Sequence, residues 1–269
     1  MVRDLLLSST NPTNSDKSDK SDKSDKTHSK FKIQNSKFTM HLNPDTLPFF
    51  DELLVNNNRE WFNANKDRWL AIRADFEVFT QALIDEMVKL DPSLGNLTAK
   101  KCMYRIYRDI RFSQDKRPYK THIACFLPSG GKKNMGVPGY YLQLGQEDYG
   151  LHGNCSLGGG IFMPSPQTLY AIRQEIFYCI DEFKAIMAEP NYKKYFGNEF
   201  FTTKKLTRVP KDFPTDWPDA DLLKYKDYCT SYAMPSKYIA SDELLDRVLE
   251  VFSTSVPLNK FIQRAMSDL

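Results

Sequence analysis

Apolar residues spaced three and four positions apart mark the amino-terminal helices of this chain. Residues 47–54 form a short amphipathic pattern that predicts a helix ending at the three asparagines 56–58. Asn58 is a suitable N-cap for the next helix, because its side chain can accept a hydrogen bond from a free backbone amide. The apolar stripe of that helix continues to Leu90, and Pro92 then requires the helix to end.

Two further helical patterns follow in the carboxy-terminal half. Ser165 can cap a long helix whose buried stripe covers residues 169–187. Ser241 can cap a final helix from residue 242 to about 252, and a short terminal helix is expected around Phe261.

The segments between these helices are short, rich in aromatic and β-forming residues, and separated by Gly, Pro, Asn and Asp. The predicted strands are residues 101–107, 121–127, 140–144, 149–157, 206–209 and 228–234. Their close spacing leaves no room for crossover helices, so the strands are expected to be antiparallel. The predicted fold class is α+β, an antiparallel sheet of about five to six strands with long helices packed on it.

The first 39 residues differ in composition from the rest. They include four tandem SDK tripeptides at residues 15–26 and very few residues that could be buried. Such a segment is expected to be a disordered tail, and residues 40–269 a single α+β domain.

Hydropathy and cysteine usage bear on the compartment. The mean hydropathy of −0.52 predicts no membrane span, and the three leucines 5–7 are too few for the apolar core of a signal peptide. The five cysteines contain no CxxC pair, which predicts reduced thiols and a cytoplasmic protein.

Charge is distributed unevenly along the chain. The net charge of +3 comes from the tail, which holds eight Lys or Arg and five Asp or Glu, so the remaining 230 residues carry 29 charges of each sign. Nucleic-acid binding by the domain as a whole is therefore not expected, because such binding depends on neutralised phosphates.

Within this neutral domain lies one basic segment, residues 100–120, with eight Lys or Arg and two Asp. The rest of the domain must therefore carry a surplus of six negative charges. Guanidinium groups bind phosphate or carboxylate through paired hydrogen bonds, and an aspartate can orient one of them. The predicted anion-binding residues are Arg105, Arg108, Asp109, Arg111, Lys116 and Lys120.

The same residues allow three interpretations. In the first, they form a pocket for a small phosphorylated or carboxylated ligand, and catalysis stays open, with Tyr104, Asp109 or Asp115 as the proton-transfer candidates. In the second, the run from Arg105 to Lys120 docks an acidic protein or a nucleic-acid backbone without catalysis. In the third, Asp109 and Asp115 pair with the cations and only hold an irregular loop in place.

Four motifs together resemble a known family. They are R-x-x-R-D-x-R-F-S-x-D-K-x-P-Y-K at residues 105–120, NNNREWFNANKDRW at 56–69, GGGIFMPSPQTLYAIRQEI at 158–176 and LTRVPKDFPTDWPDADLLKYK at 206–226. The chain resembles, from about residue 42 to its end, the conserved hypothetical proteins of the DUF 2461 type. The resemblance implies a single α+β domain and brings no activity with it.

Two other patterns are weaker candidates. The three glycines 158–160 could expose backbone amides to phosphate, but a tight turn or bulge is the favoured interpretation. His122 with Cys125 and His152 with Cys155 form HxxC pairs, yet in a strand a three-residue offset sends the two side chains to opposite faces. No metal site and no cofactor are predicted.

Overall fold

The structure, a computed structural model, describes residues 42–131, 136–145, 155–201, 205–267 and 269. Eight α-helices lie within these residues: α1 (Thr46–Val55), α2 (Arg59–Ala64), α3 (Lys66–Leu90), α4 (Ala99–Cys102), α5 (Pro166–Tyr178), α6 (Ile180–Ala188), α7 (Pro190–Phe196) and α8 (Leu244–Ala265). The described strands are β1 (His122–Pro128), β2 (Gly139–Gly145), β3 (Cys155–Ile161), β4 (Tyr228–Cys229) and β5 (Tyr232–Ala233). The predicted α+β class is confirmed.

The strands form one antiparallel sheet in the order β1-β2-β3-β4, and β5 also pairs with β3. Leu142 lies opposite both Cys125 and Leu157, and all three side chains are buried. Because side chains alternate along a strand, these residues share one face, and Gln143 and Ser156 share the other. Helix α8 packs on the first face through β3 and also contacts α3, so the apolar core lies between the sheet and the helices.

The glycine run 158–160 lies inside β3, so the expected turn or bulge is wrong. A Cβ atom on Gly158 would lie 2.0 Å from the carbonyl oxygen of Thr230, and one on Gly159 would lie 2.5 Å from Cβ of Ser255. The backbone amide of Gly160 donates to Oδ1 of Asn259 at 2.8 Å. The glycines therefore let β3 approach its neighbouring strand and helix α8 closely.

The amino-terminal helices follow the prediction with one interruption. Asn58 caps α2, since its side chain accepts a hydrogen bond from the amide of Trp61 at 2.9 Å. The expected single helix breaks at Asn65, whose side-chain amide donates to the carbonyl of Trp61 at 3.0 Å. This local bond competes with the regular helical backbone pattern. Helix α3 then ends at Leu90, before Pro92, as expected.

The strand expected at residues 101–107 is wrong. Residues up to Cys102 form α4, and the chain then makes only isolated bridges, from Met103 to Cys125 and from Tyr107 to Tyr119. The two bridges do not continue one ladder, because they lie four residues apart on the outgoing limb and six residues apart on the returning one.

Other boundaries also differ from the prediction. No strand occurs at the described residues 205–210, and the strand expected at 228–234 is divided into β4 and β5. The long helix expected at 169–187 is divided at Cys179 into α5 and α6. The two helices expected at the carboxy terminus are one helix, α8, which starts three residues after Ser241 and runs through Pro257.

Other predictions fall outside the residues that the structure describes. These are the tail at 1–39, residues 149–154 of the expected third β-segment, and His152. Within the described part of the chain, no helix has both the length and the apolar character that a membrane crossing requires.

Candidate functional site

The basic segment leaves the sheet and folds back on itself. The amide of Tyr104 donates to the carbonyl of Ala124 in β1 at 2.9 Å. Two bonds then join the outgoing and returning limbs: Arg108 N to the Pro118 carbonyl at 3.0 Å, and Lys120 N to the Ile106 carbonyl at 2.8 Å. Residues 104–120 thus form a loop, here called the basic loop, which starts and ends beside β1.

The returning limb of the loop is fixed to the amino-terminal helices. The side-chain amide of Asn57 donates to the carbonyl of Tyr119 at 3.0 Å and accepts from its N–H at 3.1 Å, so it pairs with the backbone as a strand would. The ring of Tyr119 is buried and stacks on Phe62 with 4.0 Å between centroids. Stacked aromatic rings and a satisfied backbone give this part of the loop a defined position.

Both aspartates of the loop form the ion pairs considered from sequence. Asp115 contacts Nη1 of Arg108 at 2.8 Å and Nη2 of Arg117 at 2.7 Å. Hydrogen bonds from Arg117, together with the charge of Arg108, hold the pKa of Asp115 well below its usual range. Asp109 accepts from Nε and Nη2 of Arg111, and these bonds lower its pKa to about 2.

The other predicted cations differ in their contacts. Nζ of Lys116 donates to the carbonyl of Ile110 at 3.0 Å, and Nζ of Lys120 lies 4.9 Å from the centroid of the Tyr104 ring. Arg105 is exposed and makes no hydrogen bond or ion pair with the residues that the structure describes. Apart from Nη1, the guanidinium of Arg108 likewise makes no hydrogen bond within the described chain.

His122 joins this site at the start of β1, although sequence reasoning considered it only as a metal ligand. His122 is buried, with 6% of its surface exposed. Burial, the largest cause, together with the positive charges of Lys120 and Arg108, lowers the pKa of the imidazole to about 4. The imidazole is therefore neutral at neutral pH, with two cations close by. The sequence offered one signal that His122 lies at this site, since it follows Lys120 by two residues.

Five of the six predicted anion-binding residues are thus divided between two places, and Arg105 is assigned to neither. Arg108 and Lys120 lie near His122, and these three residues are called the base cluster. Asp109, Arg111 and Lys116 belong to the tip of the loop, residues 109–116, where the Phe112 residue is 95% exposed. The side chain of Arg108 is 23% exposed and that of Arg111 is 76% exposed. Of these two places, only the base cluster combines positive charge with partial burial.

The proton-transfer candidates each hold one protonation state near neutral pH. Partial burial raises the pKa of Tyr104 to about 12, so its hydroxyl stays protonated. The low pKa values of Asp109 and Asp115 keep both carboxylates ionised. A general acid or base works best with a pKa near the operating pH, which none of these three groups has.

The described residues contain no group of three or more His, Cys, Asp or Glu side chains arranged to hold a metal ion. Strand β1 begins at His122 and includes Cys125, and the alternation of side chains places the two on opposite faces. The glycine run offers no free amide cradle, because the amides of Gly159 and Gly160 already donate to Thr230 and Asn259.

A family model matches most of the chain. The family model described as a conserved hypothetical protein (DUF2461) matches residues 45–261, a range that includes the basic loop and the glycine-rich strand. No curated protein and no solved structure matches the chain.

Proposed function

Because this chain belongs to the DUF2461 family of conserved hypothetical proteins, whose description names no activity, we propose its function from the site alone. The protein binds a small phosphorylated or carboxylated ligand at the base cluster. Arg108 and Lys120 supply the positive charge, and the neutral imidazole of His122 supplies a hydrogen-bonding group that carries no charge of its own.

The observation that carries this proposal is that two cations, Lys120 and Arg108, act electrostatically on a buried, neutral imidazole. Lys120 and Arg108 both depress the pKa of His122, so their fields overlap at one point at the edge of the sheet. Partial burial weakens solvent screening there. The attraction between two opposite charges at a given separation is therefore stronger than at the exposed tip.

The guanidinium of Arg108 is oriented and only partly used. Asp115 holds one of its terminal nitrogens at 2.8 Å, and Asp115 is itself oriented by Arg117. The remaining N–H groups of Arg108 can form the paired hydrogen bonds that phosphate and carboxylate oxygens accept. An arginine fixed in this way loses less side-chain entropy when the ligand binds.

The proposal is for binding and not for a reaction. The titratable groups around the base cluster each keep one protonation state near neutral pH, and this supports recognition of a charged group by fixed charges and donors. Phosphate and carboxylate share this chemistry, and the experiment below separates them.

The test is a calorimetric titration of the full chain with pyrophosphate and, separately, with the dicarboxylate succinate. We expect Arg108→Gln and Lys120→Gln to weaken binding of the preferred anion by about tenfold or more, as loss of one charge-assisted bond does. Arg111→Gln is the matched control, because it removes the same charge from the tip of the same loop.

Three results would contradict the proposal. The first is that neither anion binds. The second is an equal loss in Arg108→Gln and Arg111→Gln with a steep salt dependence, which would favour a docking surface for an acidic protein or a nucleic-acid backbone. The third is a lower melting temperature in Arg108→Gln with unchanged binding, which would leave the ion pairs a structural role only.

A further inference from the structure

We propose that Arg173 forms a second binding site, in which its guanidinium pairs with the carboxylate of a small monocarboxylic acid that has an apolar body. The site lies between helix α5 and residues 207–218, here called the cover segment. It contains none of the residues of the base cluster, so this inference goes beyond the function proposed above and does not depend on it.

Arg173 is a buried cation that has no counter-ion among the described residues. The residue is 8% exposed and forms no ion pair with them. Its Nη2 donates to the carbonyl of Tyr225 at 3.0 Å, whereas its Nε is buried and has no hydrogen-bond acceptor in the described chain. Asp227 is also buried and accepts from the amide of Met163 at 2.7 Å, but no ion pair joins it to Arg173. Because a charge is costly to remove from water unless it is paired, this guanidinium calls for an anion.

Helix α5 places Arg173 between two aromatic rings. Tyr170, Arg173 and Phe177 are three and four residues apart, so they lie on one face of the helix. The ring centroid of Phe213, in the cover segment, lies 5.9 Å from that of Tyr170 and 5.7 Å from that of Phe177. Phe213 therefore packs across the face that carries Arg173, and the wall beside the guanidinium is aromatic.

The cover segment is attached in a way that lets it open. A hydrogen bond at Leu206 and an ion pair at Asp219 anchor the chain on either side of it. Between these anchors, no hydrogen bond or ion pair joins it to described residues outside 206–220. Side-chain packing, including that of Phe213 and Trp217, holds it on the body. A segment with so few polar attachments can open locally, which gives a ligand access to Arg173.

Charge balance and the aromatic wall select the class of ligand. One guanidinium in an apolar environment is neutralised by one negative charge, which a carboxylate supplies, whereas a phosphate monoester carries nearly two. Lys205 lies over the ring of Tyr225 but already contacts Asp221 at 3.6 Å, so it does not balance a second charge. Carboxylate oxygens accept the paired N–H groups of a guanidinium, and an apolar body packs against rings such as that of Phe213.

The first measurement is the melting temperature of the full chain during titration with benzoate. Benzamide, the uncharged analogue of the same shape, is the control at equal ionic strength. We expect benzoate at ten times its dissociation constant to raise the melting temperature by about 3 °C, and benzamide to leave it unchanged. The same rise is expected in Arg108→Gln, because the base cluster takes no part in this site.

Three variants assign the effect to Arg173. Arg173→Met removes the charge and should abolish the rise. Arg173→Lys keeps the charge but loses the planar fork, so we expect benzoate to bind about tenfold more weakly. Arg208→Met makes the same charge change at an exposed residue of the cover segment and should respond as the wild type does. If Arg173→Met does not fold, Arg173→Lys and the next measurement decide the question.

Nitrogen-15 NMR of the wild-type chain observes the Nε–H group of Arg173 directly, and the signal missing from Arg173→Lys assigns it. We expect this signal to shift when benzoate is added and to stay in place with benzamide or inorganic phosphate. A signal that ignores benzoate would mean that a buried water completes this donor, and a signal that only phosphate shifts would mean a different anion. Either result would overturn the proposal.

The melting temperatures can contradict the proposal in three further ways. These are no rise with benzoate, an equal rise with benzamide, and a rise that persists in Arg173→Met. A rise that is lost in Arg108→Gln would place benzoate at the base cluster and would also overturn the proposal. Failure of pyrophosphate to bind while the benzoate response stays intact would count against the base cluster alone.

Discussion

The glycine-rich strand and the basic loop are both candidate anion sites from sequence, and the structure treats them in opposite ways. In β3, the amides of Gly159 and Gly160 are buried and already donate to Thr230 and Asn259. In the basic loop, Arg108 keeps N–H groups that make no hydrogen bond within the described chain. A backbone donor that packing has used is not available to a ligand, whereas a side chain at the edge of the sheet still is. The glycine-rich strand is therefore a structural motif, and the basic loop is the candidate site.

The largest expected effect is on the glycine strand. Gly158→Ala would place a Cβ atom 2.0 Å from the backbone oxygen of Thr230, and a backbone atom cannot move aside as a flexible side chain can. We expect a loss of about 3 kcal/mol or more in the free energy of unfolding, measured by urea denaturation. If the variant does not fold, that result agrees with the expectation. A change below about 0.5 kcal/mol would show that β3 and its neighbour are not in close contact.

An intermediate effect is expected for the pH dependence of stability. The pKa of His122 is about 4 in the folded protein and 6.5 without perturbation, so the unfolded chain binds the proton more readily. The contribution of this residue is complete above about pH 6.5 and is lost as the pH falls toward 4, by about 3 kcal/mol. His122→Gln should therefore flatten the pH dependence in this window. Urea denaturation of both proteins at several pH values measures the difference.

This pH comparison uses the difference between the two proteins, because carboxylates titrate in the same range. If the two profiles stay parallel between pH 6.5 and 4, His122 is not held neutral by burial, and the base cluster loses its uncharged member.

The smallest effect distinguishes the two aspartates of the loop. Asp115→Asn removes the negative charge that faces Arg108 and Arg117, and we expect this gain to exceed the loss of the orientation that Asp115 gives Arg108, so that pyrophosphate binds several-fold more tightly. Asp109→Asn is the matched change at the tip, where it frees only Arg111, and should leave the affinity unchanged. Calorimetric titration gives both values. Equal gains in the two variants would mean that the anion responds to the net charge of the loop and not to the base cluster.

The fold class and several boundaries could be predicted because they depend on local patterns. The cap at Asn58, the end of α3 before Pro92 and the strand at β1 each follow from a few adjacent residues. The breaks at Asn65 and Cys179 and the continuity of α8 through Pro257 could not be predicted in the same way. There, a side-chain hydrogen bond or burial on both sides of the proline outweighs the sequence signal.

The candidate site was only partly predictable. Charge density identified the basic segment, and the ion pairs of Asp109 and Asp115 follow from their spacing to Arg111 and Arg117. The division between the base cluster and the tip of the loop depends on Asn57, which pairs with Tyr119 from 62 residues away. No local pattern reports a contact of that kind. The inclusion of His122 in the cluster likewise depends on where the loop returns to the sheet.

The most direct test of the central claim is a titration of the isotope-labelled full chain with pyrophosphate, followed by backbone amide chemical shifts. The account predicts that the largest shifts occur at Arg108, Lys120 and His122, and that the amides of Gly159 and Gly160 do not move. Largest shifts at the glycine amides, or shifts confined to Arg111 and Phe112 at the tip, would contradict it.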